Sequence, residues 1–202
     1  MKLRLFTAIN LPKEGRIRIK RELERIRPLF GFPIRFAKEE NLHLTVSFLG
    51  YQEAGQLTPI LDAMREIAEK RSSFEIRFIG ISYGPIKEKN FASITEHSAF
   101  IKDSARMIWL NGTREASKKV SDLKFTLEEK LVDNNVPFKR DKRPYQAHIT
   151  LSRFDNKKIS DLPNIDCDLD LRVQVESLEL MQSYLAGLGT RYESLAKFEF
   201  KD

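Results

Sequence analysis

Apolar residues crowd the start of the chain, where Leu3, Leu5, Phe6, Ala8, Ile9 and Leu11 form a short run that ends at Pro12 and predicts an opening strand. Beyond it, Ile19, Leu23, Ile26 and Phe30 recur at steps of four, three and four, the spacing of one helix face. Arg16, Arg18, Lys20, Arg21, Arg25 and Arg27 fill much of the remainder. After the Gly31-Phe32-Pro33 break, Ile34 to Phe36 reads as a short strand, and a turn through Lys38-Glu39-Glu40-Asn41 leads into the alternating run His43 to Leu49. Leu57, Ile60, Leu61, Met64 and Ile67 restore the helical period, with Pro59 tolerable only in the first turn. Phe74 to Ile79 returns to strand alternation, which continues to Tyr83.

Residues 85 to 104 fit neither period and read as an added hairpin or loop. Met107 to Leu110 then reads as a buried strand stopped by the turn signal Asn111-Gly112, and Val120, Leu123, Leu127 and Leu131 mark a third helix. Tyr145 to Leu151 is another strand, Asn156 to Asp170 a polar loop, and Val173 to Leu180 with Tyr192 to Phe200 are two closing strands. Three helices and about eight strands in this order predict an α+β fold with mainly antiparallel pairing. No Gly/Ser-rich linker divides the chain, so residues 1–202 are expected to form a single domain. Within it, strand, helix and a His-x-Thr strand occur in that order twice, at His43 and again at His148. Two similar, intertwined lobes are the simplest account of that echo.

Composition narrows the function classes only a little. Lys and Arg number 35 against 29 Asp and Glu, a net charge of +6, which suits a polyanionic partner without requiring one. The single cysteine, Cys167, cannot form an intramolecular disulfide or a cysteine-based zinc site, and it favours a reducing, cytoplasmic setting. No stretch approaches the roughly 20 apolar residues of a membrane span.

The candidate chemistry lies in the repeated motif, His43-Leu44-Thr45-Val46 and His148-Ile149-Thr150-Leu151. On a strand, residues i and i+2 share a face, so each copy presents one imidazole and one hydroxyl together while its apolar residues turn to the core. Two such strands set side by side bring four groups around a volume the size of one phosphate. One imidazole can take a proton from an attacking water while the other donates to a departing ribose oxygen, and the hydroxyls can donate to non-bridging oxygens. Histidine, with a reference pKa near 6.5, serves both roles at neutral pH, and a bell-shaped rate profile belonging to the coupled pair is expected. A lone strand histidine is more often just satisfied by a neighbour. Only three histidines exist, however, and two occupy the same local pattern; the third, His97, has no partner motif and is expected at the surface.

The ordered set of motifs resembles the two-histidine phosphoesterases, and among them the LigT-like RNA 2′,3′-cyclic phosphodiesterases, also called 2′-5′ RNA ligases. The resemblance rests on Leu5 to Ile9, Asn41 to Gly50, Ile108 to Leu110 and His148 to Arg153. It implies a bilobal α+β fold with two antiparallel sheets around a cleft, no cofactor and no metal, and hydrolysis of a terminal 2′,3′-cyclic phosphate to a 2′-phosphate, some members also joining or cleaving 2′,5′ linkages. His43, Thr45, His148 and Thr150 match the family's catalytic positions, and Arg153 matches a basic position near the nucleotide. The partner so implied is RNA with cyclic phosphate termini, tRNA fragments included, bound by a monomer away from any membrane.

Arg153 lies five residues past His148, so strict alternation turns it away and it is expected beyond the strand's end. Phe48, in the equivalent place after His43, is expected in the core. Ala147 stands where the family often has proline, which should alter strand entry, and residues 85 to 104 look like an insertion near the cleft. Arg140, Lys142 and Arg143 form either a guide for the RNA backbone or a solvated loop. Three other readings stay open: a non-catalytic nucleotide-binding module, a metal site, although two histidines fall short of the usual three or four ligands, and a phosphodiesterase acting on small cyclic nucleotides of the ADP-ribose cyclic phosphate type.

Overall fold

A computed structural model describes residues 2–85, 105–154, 162–165, 167–186 and 189–201. Its elements are β1 (Lys2–Asn10), α1 (Lys13–Ile26), β2 (His43–Glu53), α2 (Leu57–Glu69), β3 (Phe74–Gly84), β4 (Met107–Gly112), α3 (Arg114–Asp133), β5 (His148–Arg153), β6 (Leu171–Val175), β7 (Ser177–Ala186) and β8 (Gly189–Glu199). The eight strands hydrogen-bond in the order β6-β3-β4-β5-β2-β1-β7-β8, every pairing antiparallel. This is the expected α+β class. The two sheets implied by the resemblance are the halves of one continuous curled sheet, joined where Leu44 of β2 pairs with Ile149 of β5. Each half is built on a strand-helix-strand unit, β1-α1-β2 in one and β4-α3-β5 in the other.

The helices form because their apolar periods have a surface to bury. Ile19, Leu23 and Ile26 of α1, Ile60, Met64 and Ile67 of α2, and Val120, Leu123, Leu127 and Leu131 of α3 are all buried in one core with Leu44, Val46, Ile149 and Leu151 from the two central strands. Pro59 sits in the first turn of α2, where its missing N–H costs nothing. Thr113 caps α3 by accepting from the Ala116 N–H at 3.0 Å. A buried polar node docks α3 onto β2: Ser47 Oγ donates to Glu128 Oε1 at 2.6 Å, and Lys124 Nζ lies 2.8 Å from the same oxygen.

Local expectations fail where long-range pairing overrides local pattern. Ile34 to Phe36 is not a strand; a single bridge from Phe36 to Ser152 and the Ala37 N–H donating to the Leu151 carbonyl fasten this segment beside β5. Asn111-Gly112 is not a turn but the end of β4, because Asn111 pairs with His148 and α3 begins only after Thr113. The strand expected from Tyr145 starts at His148, and the run from Val173 to Leu180 is divided between β6, which pairs with β3, and β7, which pairs with β1. The segment 85–104 expected to be an insertion, apart from residue 85, and His97 within it lie outside the described residues, as does most of the polar stretch after residue 154.

Removing one partner of the buried node would strand the other charge. Lys124→Ala is therefore expected to lower unfolding free energy by on the order of 3 kcal/mol, whereas replacing Lys124 and Glu128 together with Met and Leu recovers most of the loss. Urea denaturation of the three proteins checks this, equal stability of the single variant and the wild type being the contrary result.

Candidate active site

The join between the halves determines what meets what. With Leu44 opposite Ile149 in an antiparallel pair, His43 comes opposite Thr150 and Thr45 opposite His148. The flanking residues Leu44 and Ile149 are fully buried, so the two histidines and two threonines fall together on the other face, where all four are half-buried. The next strands extend the pattern outward: β1 sets Asn10 opposite His43 and Ala8 opposite Thr45, and β4 sets Asn111 opposite His148 and Trp109 opposite Thr150. The predicted convergence of the two motifs is thus present.

Each imidazole is held in the same way. Nδ1 of His43 lies 2.7 Å from the Asn41 carbonyl, and Nδ1 of His148 lies 2.7 Å from the Gln146 carbonyl. A carbonyl only accepts, so each Nδ1 carries hydrogen and each Nε2 is the nitrogen left uncommitted to the backbone. Burial is the main influence on both rings and disfavours their charged forms. It holds His43 below the ordinary histidine value, with the Asn41 carbonyl opposing and the Arg153 charge adding to the effect. His148 is lowered to about 4 by burial, against the Gln146 carbonyl and with Arg153 and His43 adding to it.

Arg153 therefore acts electrostatically on both rings, which corrects its expected place beyond the strand's end. It belongs to β5, and a β-bulge returns it to the site face: Ile108 pairs with Ser152 and Trp109 with Thr150, skipping Leu151. The same irregularity recurs in β2, where Thr7 pairs with Ser47 and Ala8 with Thr45, skipping Val46. Phe48 is turned outward with it. Far from lying in the core, Phe48 is 62% exposed, and its ring is 6.1 Å from Phe6, which in turn is 5.0 Å from His43. The two motif strands thus present Arg153 in one half and Phe48 in the other, at matching positions.

Two further contacts fix the geometry. The Tyr145 hydroxyl, its phenol pushed well up by burial, donates to the Thr45 carbonyl and ties the approach to β5 onto β2. Ala147, where the resemblance leads one to expect proline, donates its N–H to Ser117 Oγ at 3.0 Å and accepts from the Gly112 N–H at 2.8 Å. Proline could make only the second bond. The basic cluster is largely neutralised, Arg140 pairing with Glu129 and Arg143 with Asp141. Among the described residues, no group of three or more His, Cys, Asp or Glu side chains is placed to hold a metal ion, and no helix is long and apolar enough to cross a membrane.

Comparison with known proteins gives the same answer from another direction. Residues 9–91 match the model of the LigT like Phosphoesterase family. Over nearly their whole lengths the chain is 28% identical to the RNA 2′,3′-cyclic phosphodiesterase of Methanocaldococcus jannaschii (97% of this chain, 100% of the relative) and 26% identical to that of Thermus thermophilus (98% and 91%). Among solved structures it is similar to TT0787 of Thermus thermophilus, with a TM-score of 0.74 at 25% identity and 98% of each chain covered. It also shares the fold of Escherichia coli LigT complexed with 3′-AMP, with a TM-score of 0.71 at 23% identity over all of both chains. These similarities agree with the resemblance read from the sequence motifs.

The residues that sequence reasoning did not place at the site include Trp109, Phe6, Tyr192, Asn10 and Asn111. Trp109 stacks on His148 with centroids 3.8 Å apart, and Phe6 and Tyr192 flank His43 at 5.0 and 4.9 Å. The signal that could have found the asparagines is the repeat itself, since Asn10 is the last and Asn111 the second-last residue of the strand that opens each strand-helix-His unit. In a ring-nitrogen NMR titration, the free protein should show both neutral imidazoles in the Nδ1–H form, His148 titrating near pH 4 and His43 below 6.5. Ordinary values, or the other tautomer, would contradict the site as described.

Proposed function

We propose that this chain hydrolyses RNA 2′,3′-cyclic phosphate ends to 2′-phosphates with His43 and His148 as the acid–base pair, the whole of residues 1–202 forming one two-histidine phosphoesterase domain with 85–104 as an insertion. One Nε2 accepts a proton from water as the water oxygen bonds to phosphorus; the other delivers a proton to the ribose O3′ as the P–O3′ bond breaks. Thr45 and Thr150 donate to the non-bridging oxygens and hold phosphorus between the rings. With a 5′-hydroxyl in place of water, the same centre would form the 2′,5′ linkage of a ligase.

The observation that carries this reading is the pairing of Leu44 with Ile149, which sets the two His-x-Thr motifs face to face on one side of the sheet. The relatives named RNA 2′,3′-cyclic phosphodiesterase supply the substrate class. Arg153 supports it from beside both rings, as a fixed positive charge for the phosphate. Phe48, an exposed aromatic face on the opposite side, suits stacking by the terminal nucleobase. The chemistry as written uses side chains alone.

On an RNA oligonucleotide with a 2′,3′-cyclic phosphate end, His43→Ala and His148→Ala should each lose at least about 10²-fold in kcat. EDTA should leave the wild type unaffected, and the product should be the 2′-phosphate. Retention of most activity in either variant, or a 3′-phosphate product, would refute the assignment.

A further inference from the structure

The site face repeats about the Leu44–Ile149 join, and besides Phe48 against Arg153 the repeat fails at one further place next to the chemistry. Asn10 and Asn111, His43 and His148, and Thr45 and Thr150 occupy matching positions; the remaining pair sets Ala8 against Trp109. The Trp109 indole lies nearly flat on the His148 ring, at 3.8 Å and 21°. Its other side rests on the backbone of Gly84, where even a Cβ would come within 2.4 Å of indole Cδ2, so glycine is what admits the ring. Backbone, indole and imidazole form three layers. His43 has no such floor: Phe6 meets it at 38° and Tyr192 edge-on at 80°. Trp109 is also 5% exposed with Nε1 lacking a hydrogen-bond partner among the described residues, a cost that phenylalanine would avoid.

The charge environment of His148 says what this ring is for. The groups acting on it are the Gln146 carbonyl, which favours proton uptake, and Arg153 and His43, which oppose it together with burial. Its cross-strand neighbours, Asn111 of β4 and Thr45 of β2, are neutral, and among the described residues no carboxylate acts on either imidazole. A ring that carries a proton during turnover is favoured by negative potential, which the substrate phosphate supplies only while it is bound. The π face of an indole supplies it, and tryptophan does so better than phenylalanine. We propose that Trp109 is a positioning residue for His148, its π face standing where a carboxylate stands in a hydrolase triad, fixing the ring plane and receiving the proton-bearing ring. This rests on His148 being half of a proton-transfer pair.

The test is a substrate-free NMR titration of the histidine rings in wild type, Trp109→Phe and Trp109→Leu, with kcat and KM measured against pH alongside. The expected result is a His148 pKa that falls from Trp to Phe to Leu, by about one pH unit at Leu. The His43 value should stay where it is, and the acid limb of kcat/KM should move with His148. Trp109→Phe keeps a flat ring over Gly84, so the order is readable even if the leucine variant does not fold. An unchanged or raised His148 pKa in folded variants overturns the proposal, as does lost activity with an unaltered titration, which is the signature of packing alone. The titration uses no substrate: if the pKa order holds while His148→Ala still turns over, the hold of Trp109 on the ring stands and the acid–base reading falls.

Discussion

The antiparallel register between β2 and β5 is the constraint on which the site depends. A slip of either strand by one residue would send its imidazole and hydroxyl to the opposite face, into the layer now filled by Leu44, Val46, Ile149 and Leu151. Hydrophobic burial therefore enforces the alignment of the polar face, because moving either histidine inward would move two buried apolar side chains of its strand outward. Among the described residues only Leu44 and Ile149 pair directly between the halves, and the segment at Phe36 and Ala37 occupies the neighbouring edge of β5 instead. The sheet is therefore continuous through this one pair, while the shared core and the Ser47–Glu128 bond hold the halves together behind it. The Tyr145 bond to Thr45 reinforces that point from the side.

Two β-bulges turn this scaffold into a site with two different ends. Each skips the fourth residue of its motif, Val46 or Leu151, and each changes strand parity so that the sixth residue faces the cleft. In one strand that residue is an arginine and in the other a phenylalanine. The same device also turns Ser47 inward to the Glu128 node that anchors α3. The duplicated core thus supplies a symmetric pair of imidazoles, and the residues around it make the ends unequal: a stacked indole beside His148, aromatic rings beside His43.

Much of this was legible in the chain. The helical periods of α1, α2 and α3 and the His-x-Thr duplication are local patterns, and local patterns survive folding when a core exists to receive them. What escaped was non-local. Alternation alone turned Arg153 away and Phe48 inward, because a bulge is created by pairing with β4 or β1 and has no period of its own. Asn111-Gly112 carries every mark of a turn, and only its pairing with His148 and Ala147 makes it strand. Trp109 read as buried strand, correctly; that its buried face is an imidazole could be known only once β4 and β5 were neighbours.

The central claim is that His43 and His148 act on one phosphorus centre, and the most direct measurement is a titration with a nucleoside 2′-phosphate followed at both histidine rings. An anion gripped between them favours the protonated form of each, so both pKa values should rise together, with one dissociation constant and one bound molecule per chain. A response confined to one ring, or two responses with different dissociation constants, would contradict the account.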